Sequence, residues 1–452
     1  MRGQTNDPWP KRMLWVSTLL LALAVPLWWI MTGYFQRTPS QSISFNAVDG
    51  WCDHAPSQGI GVHCFGDFQL PRLLIDSPSV WNDPQQINVG YTPAGLTPNA
   101  AAKALEEAGL GIRGSLIAFL IAMALAMAVP AVLTALRGAR VARGPLPLLL
   151  FFAAAAPVLI AFDRGNSVGF VIPFLLAFGV YLGRDPRWVA PFAVIGATAV
   201  RPQFILIAIA LIAVRRTRDA LAAVAGAIAF SIWAFVLWPG DRLQNIRDWW
   251  SDVTGFGSSV APSEAVINLS AARSTFLVGD FLSGLPTFIG SLGEAIRDFA
   301  LENPSMPGGL LVIACLCAFA LRRGRIARPI VITVGLALPV IGPGVSFGYY
   351  LVFAVVLAAL VCGPADPVGL RSRDDRGILA DLTRRRGIHQ AWAWTLVAAI
   401  GFSLAPLAFN TPATAYTTSL GWVGVVWLAV IVLPLAWGAI GLARAHLRRP
   451  SS

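Results

Sequence analysis

The chain has 452 residues, of which 56% are hydrophobic and only 13% charged, and its mean hydropathy is +0.66. Soluble domains carry about 25% charged residues, so lipid must form part of the solvent of this protein. Apolar runs of about 20 residues recur along the chain, each long enough to cross a bilayer as a helix. The sequence therefore predicts an all-α polytopic membrane protein and excludes a soluble enzyme.

The net charge of +11 follows membrane topology rather than a nucleic-acid partner. Arg2, Lys11 and Arg12 precede the first apolar run, and most other basic residues fall in segments on the same side. This excess of Lys and Arg on one side follows the positive-inside rule, and acidic residues are more frequent in the alternate segments. We expect a multi-pass protein of a bacterial plasma membrane, with both termini cytoplasmic and no nucleic-acid partner.

The predicted spans are, in chain order, Met13–Tyr34, Ser115–Leu136, Pro145–Phe162, Asn166–Leu182, Ala220–Leu237, Gly308–Leu321, Pro329–Ile341, Phe347–Val361, Trp394–Phe409 and Trp422–Leu442. A further apolar segment, Trp188–Val214, has arginines on both flanks but is too short for two crossings of about 20 residues each. We interpret it as a re-entrant pair of half-helices with Arg201-Pro202 at its tip. The bundle then has about twelve helical elements.

Two long segments lie outside in this topology. The first, 35–112, contains a short predicted interfacial helix over Ala100–Ala108, and the second is 239–307. The longest inside connection is 363–390. No internal repeat is evident, which disfavours transporter folds built from duplicated halves. We expect one functional domain over residues 1–452, with large outer loops and its working face outside.

Cys52 and Cys64 lie in the first outer segment, beside His54 and His63. Cysteine pairs in an oxidising compartment form disulfides, and we expect one here. The same four residues also suit a zinc site, which stays open as the alternative. No metal ligand is assigned.

The first outer segment also carries the aspartates Asp49, Asp53, Asp67, Asp76 and Asp83. Asp67 differs from the others because a glycine precedes it and an aromatic residue follows it. The glycine permits a close backbone approach, and the aromatic ring fixes the backbone at the membrane surface. Asp67 is therefore the candidate catalytic residue, and a solvated loop carboxylate is the alternative.

Arg164 and Arg201 are predicted at membrane depths where the burial of a charged side chain costs free energy. Arg164 joins two short spans at the outer side, and Arg201 is at the tip of the re-entrant pair. Such arginines need a partner, and planar guanidinium groups suit phosphate oxygens. We expect a clamp for a lipid phosphate. The alternative is a pair with Asp163 that only holds the helices together.

Two other motifs at the outer side carry polar groups. Asn268-Leu269-Ser270 matches a glycosylation acceptor formally, but the bacterial character of the chain favours a polar substrate contact. Tyr349 and Tyr350 open a span from its outer end, where tyrosines serve either as membrane anchors or as substrate contacts.

In this order the motifs resemble glycosyltransferase family 87, whose members have the GT-C fold and use polyprenyl-phosphate sugars as donors. The similar elements are Gly66-Asp67-Phe68, Tyr91-Thr92-Pro93, Asp163-Arg164-Gly165-Asn166, Arg201-Pro202 and Asn268-Leu269-Ser270. The chain lacks the family's middle proline after Tyr91. It also has Phe347 and Tyr349 where mannosyl-transferring members carry Trp and His, and its Gly-Tyr-Tyr version is similar to arabinofuranosyl-transferring relatives.

The resemblance implies a GT-C-type bundle and an inverting glycosyltransferase that moves mannose or arabinofuranose from a polyprenyl-phosphate donor to a cell-envelope glycolipid or polysaccharide. It implies Asp67 as general base and Arg201 and Arg164 as ligands of the donor phosphate. The implied substrate contacts are Asp163, Asn166, Tyr91, Asn268, Ser270, Tyr349 and Tyr350. No cofactor is assigned, and a divalent cation stays open. The alternatives are a secondary transporter or lipid flippase, and a non-catalytic envelope scaffold.

Overall fold

The structure is a computed structural model that describes residues 66–75, 80–81, 90–138, 155–259, 262–263, 268–286, 288–362, 388–404 and 419–447. These residues are predominantly helical and form no strand, and the one β-bridge among them joins Asn268 to Phe347. The predicted all-α class is confirmed for this part of the chain. The predicted span Met13–Tyr34 and most of the predicted inside connection 363–390 lie outside the described residues.

The helices of the first half are α1 (Gly66–Leu74), α2 (Pro93–Leu105), α3 (Gly111–Gly138), α4 (Ala156–Arg164), α5 (Ile172–Tyr181), α6 (Val189–Val200), α7 (Ala208–Ala213) and α8 (Thr217–Leu237). Those of the second half are α9 (Arg242–Ser259), α10 (Ala271–Ser283), α11 (Phe288–Glu302), α12 (Met306–Leu321), α13 (Arg328–Ile341), α14 (Val352–Cys362), α15 (Ile388–Leu404) and α16 (Ser419–Leu447). The 3₁₀ turns Ser167–Val171, Pro202–Ile207 and Gly348–Leu351 precede α5, α7 and α14, and a π turn, Glu106–Leu110, joins α2 to α3.

Two helical stretches of the described chain are long and apolar enough to cross a membrane. They are 93–130, which is kinked at Gly109, and Thr217–Leu237. A third candidate is the pair α11 and α12, which is bent by 96° at its break. Shorter apolar helices of 10–17 residues make up much of the remainder. The architecture is that of a helical membrane protein. The predicted outer segment 239–307 is largely helical, because it contains α9, α10 and α11.

Helices α13 and α14 lie at the centre of the bundle. Every residue in 329–341 and in 351–359 is buried. A helix that is apolar on all sides is stable only when other helices surround it. The peripheral helices α3 and α8 instead expose large apolar side chains, among them Leu125, Leu221 and Trp233. Such an apolar exterior is suited to contact with hydrocarbon.

The segment Trp188–Val214 folds as a hairpin. α6 is about 18 Å long and ends just before Arg201, where the chain reverses direction. The 3₁₀ turn Pro202–Ile207 and α7 then run back along α6. Pro202 begins the return and has no N–H to continue the helical ladder of α6. The two ends of the segment meet, because the Arg216 guanidinium donates a hydrogen bond to the Arg187 carbonyl.

Arginines gather where this hairpin begins and ends. The Gly324 N–H donates to the Ala213 carbonyl at 2.7 Å, and Arg215 Nε donates to the Arg323 carbonyl at 3.3 Å. The arginine-rich end of the bundle is defined by Arg187, Arg215, Arg216 and Arg323. Because Arg201 follows the last residue of α6, it lies at the opposite end.

The start of α12 touches the end of α13 backbone to backbone. A Cβ atom at Gly308 would lie 1.8 Å from the Gly342 carbonyl oxygen, whereas one at Gly309 would meet nothing within 4 Å. We expect Gly308→Ala to destabilise the protein by about 1–3 kcal/mol, because the helices must separate. Gly309→Ala is the matched control and should leave stability unchanged or slightly higher. Thermal unfolding midpoints of both variants in one detergent measure the difference, and equal midpoints would contradict this contact.

Candidate active site

Asp67 lies in the first turn of α1, where the backbone amides of a helix favour negative charge. The next residue, Phe68, is buried and packs on Phe119 of α3, with ring centroids 5.0 Å apart. The Asp67 carboxylate accepts hydrogen bonds from Asn166 Nδ2 at 2.9 Å and from Arg164 Nη2 and Nε at 3.3 and 3.4 Å. Its side chain is still 22% exposed, so it is accessible to solvent.

The turn after α4 carries both of these donors. Gly165 ends the helix with φ of 61°, the left-handed conformation that glycine adopts without strain. Asn166 then caps the following 3₁₀ turn, its Oδ1 accepting from the Val168 N–H at 2.9 Å. Because that bond fixes the amide oxygen, the NH₂ group of Asn166 is left to donate to Asp67.

Arg201 is only 5% exposed at the tip of the hairpin. Its Nη2 donates to Asn166 Oδ1 and, at 2.6 Å, to Tyr91 Oη. The guanidinium carbon lies 3.7 Å from the Tyr91 ring centroid and 5.6 Å from that of Tyr350. Its Nε has no hydrogen-bond partner, and no described carboxylate forms an ion pair with it. A buried cation without a neutralising acid favours an anionic ligand.

The tyrosines Tyr91, Tyr349 and Tyr350 lie around this guanidinium. Tyr349 and Tyr350 have ring centroids 4.9 Å apart, and Tyr349 alone of the three is partly exposed. Burial, partly offset by the Arg201 charge, raises the pKa of Tyr91 to about 12. The phenol therefore stays protonated at neutral pH and serves Arg201 as a neutral acceptor rather than as a counter-ion.

Asn268 and Ser270 hold the backbone ahead of the tyrosines. Asn268 Oδ1 accepts from the N–H groups of Ser346 at 2.9 Å and Ser270 at 3.0 Å, and the Leu269 N–H donates to the Ser346 carbonyl at 2.6 Å. The Ser270 hydroxyl caps α10. Both side chains are buried, and that of Asn268 joins the second outer segment to the turn that carries Tyr349. Their contact with a substrate stays a prediction.

Residues that hold α1 in place were not predicted from the sequence. Asn99 Nδ2 donates to the Phe68 carbonyl at 3.0 Å. Arg72 Nη1 pairs with Glu106 Oε2 at 2.5 Å, with side chains 4% and 19% exposed. The partners of this pair are 34 positions apart, so no local pattern indicated it. The turn that contains Glu106 is kinked at Gly109, whose φ of 103° is in the left-handed region that glycine adopts without strain.

Several predicted residues lie outside the described part of the chain. They are Cys52, Cys64, His54 and His63, the aspartates Asp49, Asp53, Asp76 and Asp83, and the side chain of Asp163, whose backbone ends α4. The disulfide, the zinc alternative and the Asp163 contact stay predictions. Among the described residues, Cys315 and Cys317 are free thiols, and no three His, Cys, Asp or Glu side chains are grouped as metal ligands would be.

No protein-family model, curated protein or solved structure matches this chain. One carboxylate, one half-exposed guanidinium and one buried guanidinium meet at the end of the bundle opposite the arginine-rich end. The Asn166 amide joins the carboxylate to the buried guanidinium, donating to Asp67 and accepting from Arg201.

Breaking the Arg72–Glu106 pair should loosen α1 and with it Asp67. Arg72→Met leaves a largely buried carboxylate unpaired, and we expect a loss of about 3–5 kcal/mol in stability. The exposed pair of Arg187 and Asp185 offers the matched control, and Arg187→Met should have no measurable effect. Unfolding midpoints in one detergent compare the variants. If the exchanged pair, Arg72→Glu with Glu106→Arg, is no more stable than Arg72→Glu alone, the ion pair is not what holds α1.

Proposed function

We propose that the chain is a membrane glycosyltransferase that transfers a sugar from a polyprenyl-phosphate donor with inversion at the anomeric carbon. One observation carries the proposal. At one end of an apolar bundle, a single amide joins the Asp67 carboxylate to the buried Arg201 guanidinium, which has no carboxylate in direct contact. A lipid-linked sugar phosphate needs these two groups, a base for the acceptor and a cation for the leaving phosphate.

In the proposed reaction, Asp67 takes the proton from an acceptor hydroxyl. The acceptor oxygen attacks the anomeric carbon from the face opposite the phosphate, and a new glycosidic bond forms. The bond from the anomeric carbon to the phosphate oxygen breaks, and its electron pair stays on the lipid phosphate. Because Asn166 occupies the short path between Asp67 and Arg201, the sugar ring would lie beside that amide rather than in its place.

Arg201 is the proposed stabiliser of the leaving phosphate. Arginine keeps its charge at any relevant pH, and in an apolar setting a fixed charge acts strongly on charge that develops nearby. Tyr91 and Asn166 orient the guanidinium without neutralising it, because both are uncharged acceptors. The unpartnered Nε leaves a hydrogen-bond donor for a ligand oxygen.

Arg164 is the proposed second phosphate ligand. Its side chain is 44% exposed, and its contacts with Asp67, at 3.3 and 3.4 Å, are longer than a strong charge-assisted hydrogen bond. A donor phosphate would therefore compete readily for this guanidinium. Transfer of Arg164 from Asp67 to the phosphate would leave the carboxylate free to accept the proton.

The membrane arrangement completes the proposal. The arginine-rich end is assigned to the cytoplasmic side by the positive-inside rule, which puts the site at the outer leaflet and both termini in the cytoplasm. The hairpin of α6 and α7 is then a re-entrant pair with Arg201 at its tip, in a GT-C-type bundle of about twelve helical elements. The proposed location is a bacterial plasma membrane.

The proposed donor sugar is mannose or arabinofuranose, and the acceptor is a cell-envelope glycolipid or polysaccharide. Tyr349 is partly exposed next to buried Tyr350 and offers an aromatic face on which a sugar ring can stack. A secondary transporter or flippase is the second candidate, since a hairpin with a buried arginine is also suited to moving an anionic lipid. Sugar transfer by the purified protein separates the two.

Asp67→Asn tests the base. The variant keeps the shape of the side chain but cannot take a proton, so we expect turnover to fall by about 10²- to 10⁴-fold with an unfolding midpoint near wild type. The matched control is Asp280→Asn, which changes an exposed carboxylate on α10 and should keep full activity. The assay uses purified protein with labelled polyprenyl-phosphate mannose and polyprenyl-phosphate arabinofuranose. An Asp67→Asn variant that keeps more than about a tenth of the activity excludes Asp67 as the base.

Arg201→Ala tests the phosphate role. We expect kcat/KM for the donor to fall by about 30-fold or more, with the KM for the acceptor little changed, and Arg201→Lys to recover part of the loss. Arg273 is the matched control, a buried arginine that donates to the carbonyls of Pro262 and Ser263. Arg273→Ala should lower stability without favouring one substrate over the other. An Arg201→Ala loss that falls equally on donor and acceptor indicates a helix-holding role instead.

A further inference from the structure

Helix α11 has three distinct faces. Gly290, Gly293 and Ala300 are buried against α10. Glu294 and Asp298, four residues apart, are exposed together on a second face. On the third face Phe288 is 76% exposed, and Ile289 and Leu292 are exposed beside it. An aromatic ring and two branched aliphatic side chains in this position need an apolar partner.

Helices α10 and α11 pack closely against each other. A Cβ atom at Gly293 would lie 2.3 Å from the Ser283 nitrogen, and one at Gly279 would lie 2.5 Å from the Arg297 nitrogen. The two helices therefore touch backbone to backbone over much of their length. Phe281 of α10 is also exposed, and so is Leu285 in the connection between the helices. The Phe281 ring lies edge-on to Trp422 of α16, with centroids 6.3 Å apart, so exposed aromatic residues continue from α10 to α16.

The orientation of α11 identifies what covers this face. α11 continues into the apolar helix α12 through a bend of 96°. α12 ends next to the arginine-rich end, where the Gly324 N–H binds the Ala213 carbonyl. Its start therefore lies at the end of the bundle that carries Asp67. If α12 runs along the membrane normal, α11 lies in the membrane plane at the level of the site.

The exposed surface of α12 continues the apolar face of α11. Met306, Leu310 and Ile313 are exposed on α12 at helical spacing, so the peripheral surface of this helix is as apolar as that of α11. A helix in the membrane plane with one apolar face and one acidic face suits the boundary between hydrocarbon and water. Arg297 is the one basic residue of α11, and Asp298 pairs with it at 3.1 Å. Attraction to anionic headgroups therefore contributes little.

We propose that the α10–α11 pair lies on the outer surface of the membrane, with Phe288, Ile289 and Leu292 inserted among the lipids. The surface is the lipid-binding platform of the protein. It is tied to the site because Ser270, which caps α10, follows Leu269, and the Leu269 N–H binds the Ser346 carbonyl ahead of Tyr349. Lipid contact itself does not depend on the proposed glycosyl transfer.

Photo-crosslinking of the full chain in proteoliposomes tests the platform. The photoreactive residue p-benzoylphenylalanine replaces Phe288 or Leu292, with Glu294 as the control on the same helix and Leu310 as the reference for a lipid-facing position. The vesicles contain phosphatidylcholine with a clickable acyl chain. We expect lipid adducts at 288 and 292 in a yield close to that at 310 and at least about fivefold above that at 294.

Two further readouts decide between covering partners. Adding phosphatidylglycerol to the vesicles should leave the yields unchanged, because the apolar face rather than charge drives insertion. Yields at 288 and 292 no higher than at 294 would overturn the proposal, and so would crosslinks to a second copy of the chain in place of lipid. Neither readout measures activity, so failure of the platform and failure of the proposed enzyme are distinguishable.

Discussion

A permanently charged guanidinium inside an apolar bundle is the constraint around which this structure is arranged. Removing Arg201 from water is costly, and among the described side chains the Asp67 carboxylate acts on it only across the Asn166 amide, with no ion pair. Partial charges and ring faces from three distant segments compensate instead, through Asn166, Tyr91 and Tyr350. The same contacts that make the charge tolerable leave it without a carboxylate in direct contact.

Polar contacts define the geometry of this end of the bundle. In a membrane, an apolar side chain has a similar free energy against a lipid chain and against another helix. Close packing and hydrogen bonds therefore specify which segments meet. Asn268 ties the second outer segment to Ser346, and Asn99 ties α2 to the carbonyl of Phe68. The Asn268 contact positions the turn that carries Tyr349 and Tyr350, and the Asn99 contact positions the residue next to Asp67. The geometry of the candidate site thus depends on a few buried amides.

The second outer segment illustrates a limit of the sequence-based prediction. Residues 239–307 have a mixed composition, and they were interpreted as a loop because no apolar run is long enough to span a bilayer. Amphipathic helices satisfy their backbone groups internally and need only one apolar face, so α9, α10 and α11 form without such a run. The spacing of Phe288, Ile289 and Leu292 was the available signal for α11.

The sequence by itself determined the helical membrane class and the choice of Asp67, Arg164 and Arg201 as candidates, whereas Asn166 and Tyr91 were implied by the family resemblance. Hydrophobicity, charge at depth and local motifs are properties of neighbouring residues, so they are legible in the chain. Only the tertiary structure decided that Asn166 bridges Asp67 and Arg201, that Arg72 pairs with Glu106, and that α11 lies perpendicular to α12. Contacts of the site join residues that are distant in sequence, and Tyr91 and Arg201 are 110 positions apart. Whether such residues meet depends on how the whole bundle packs.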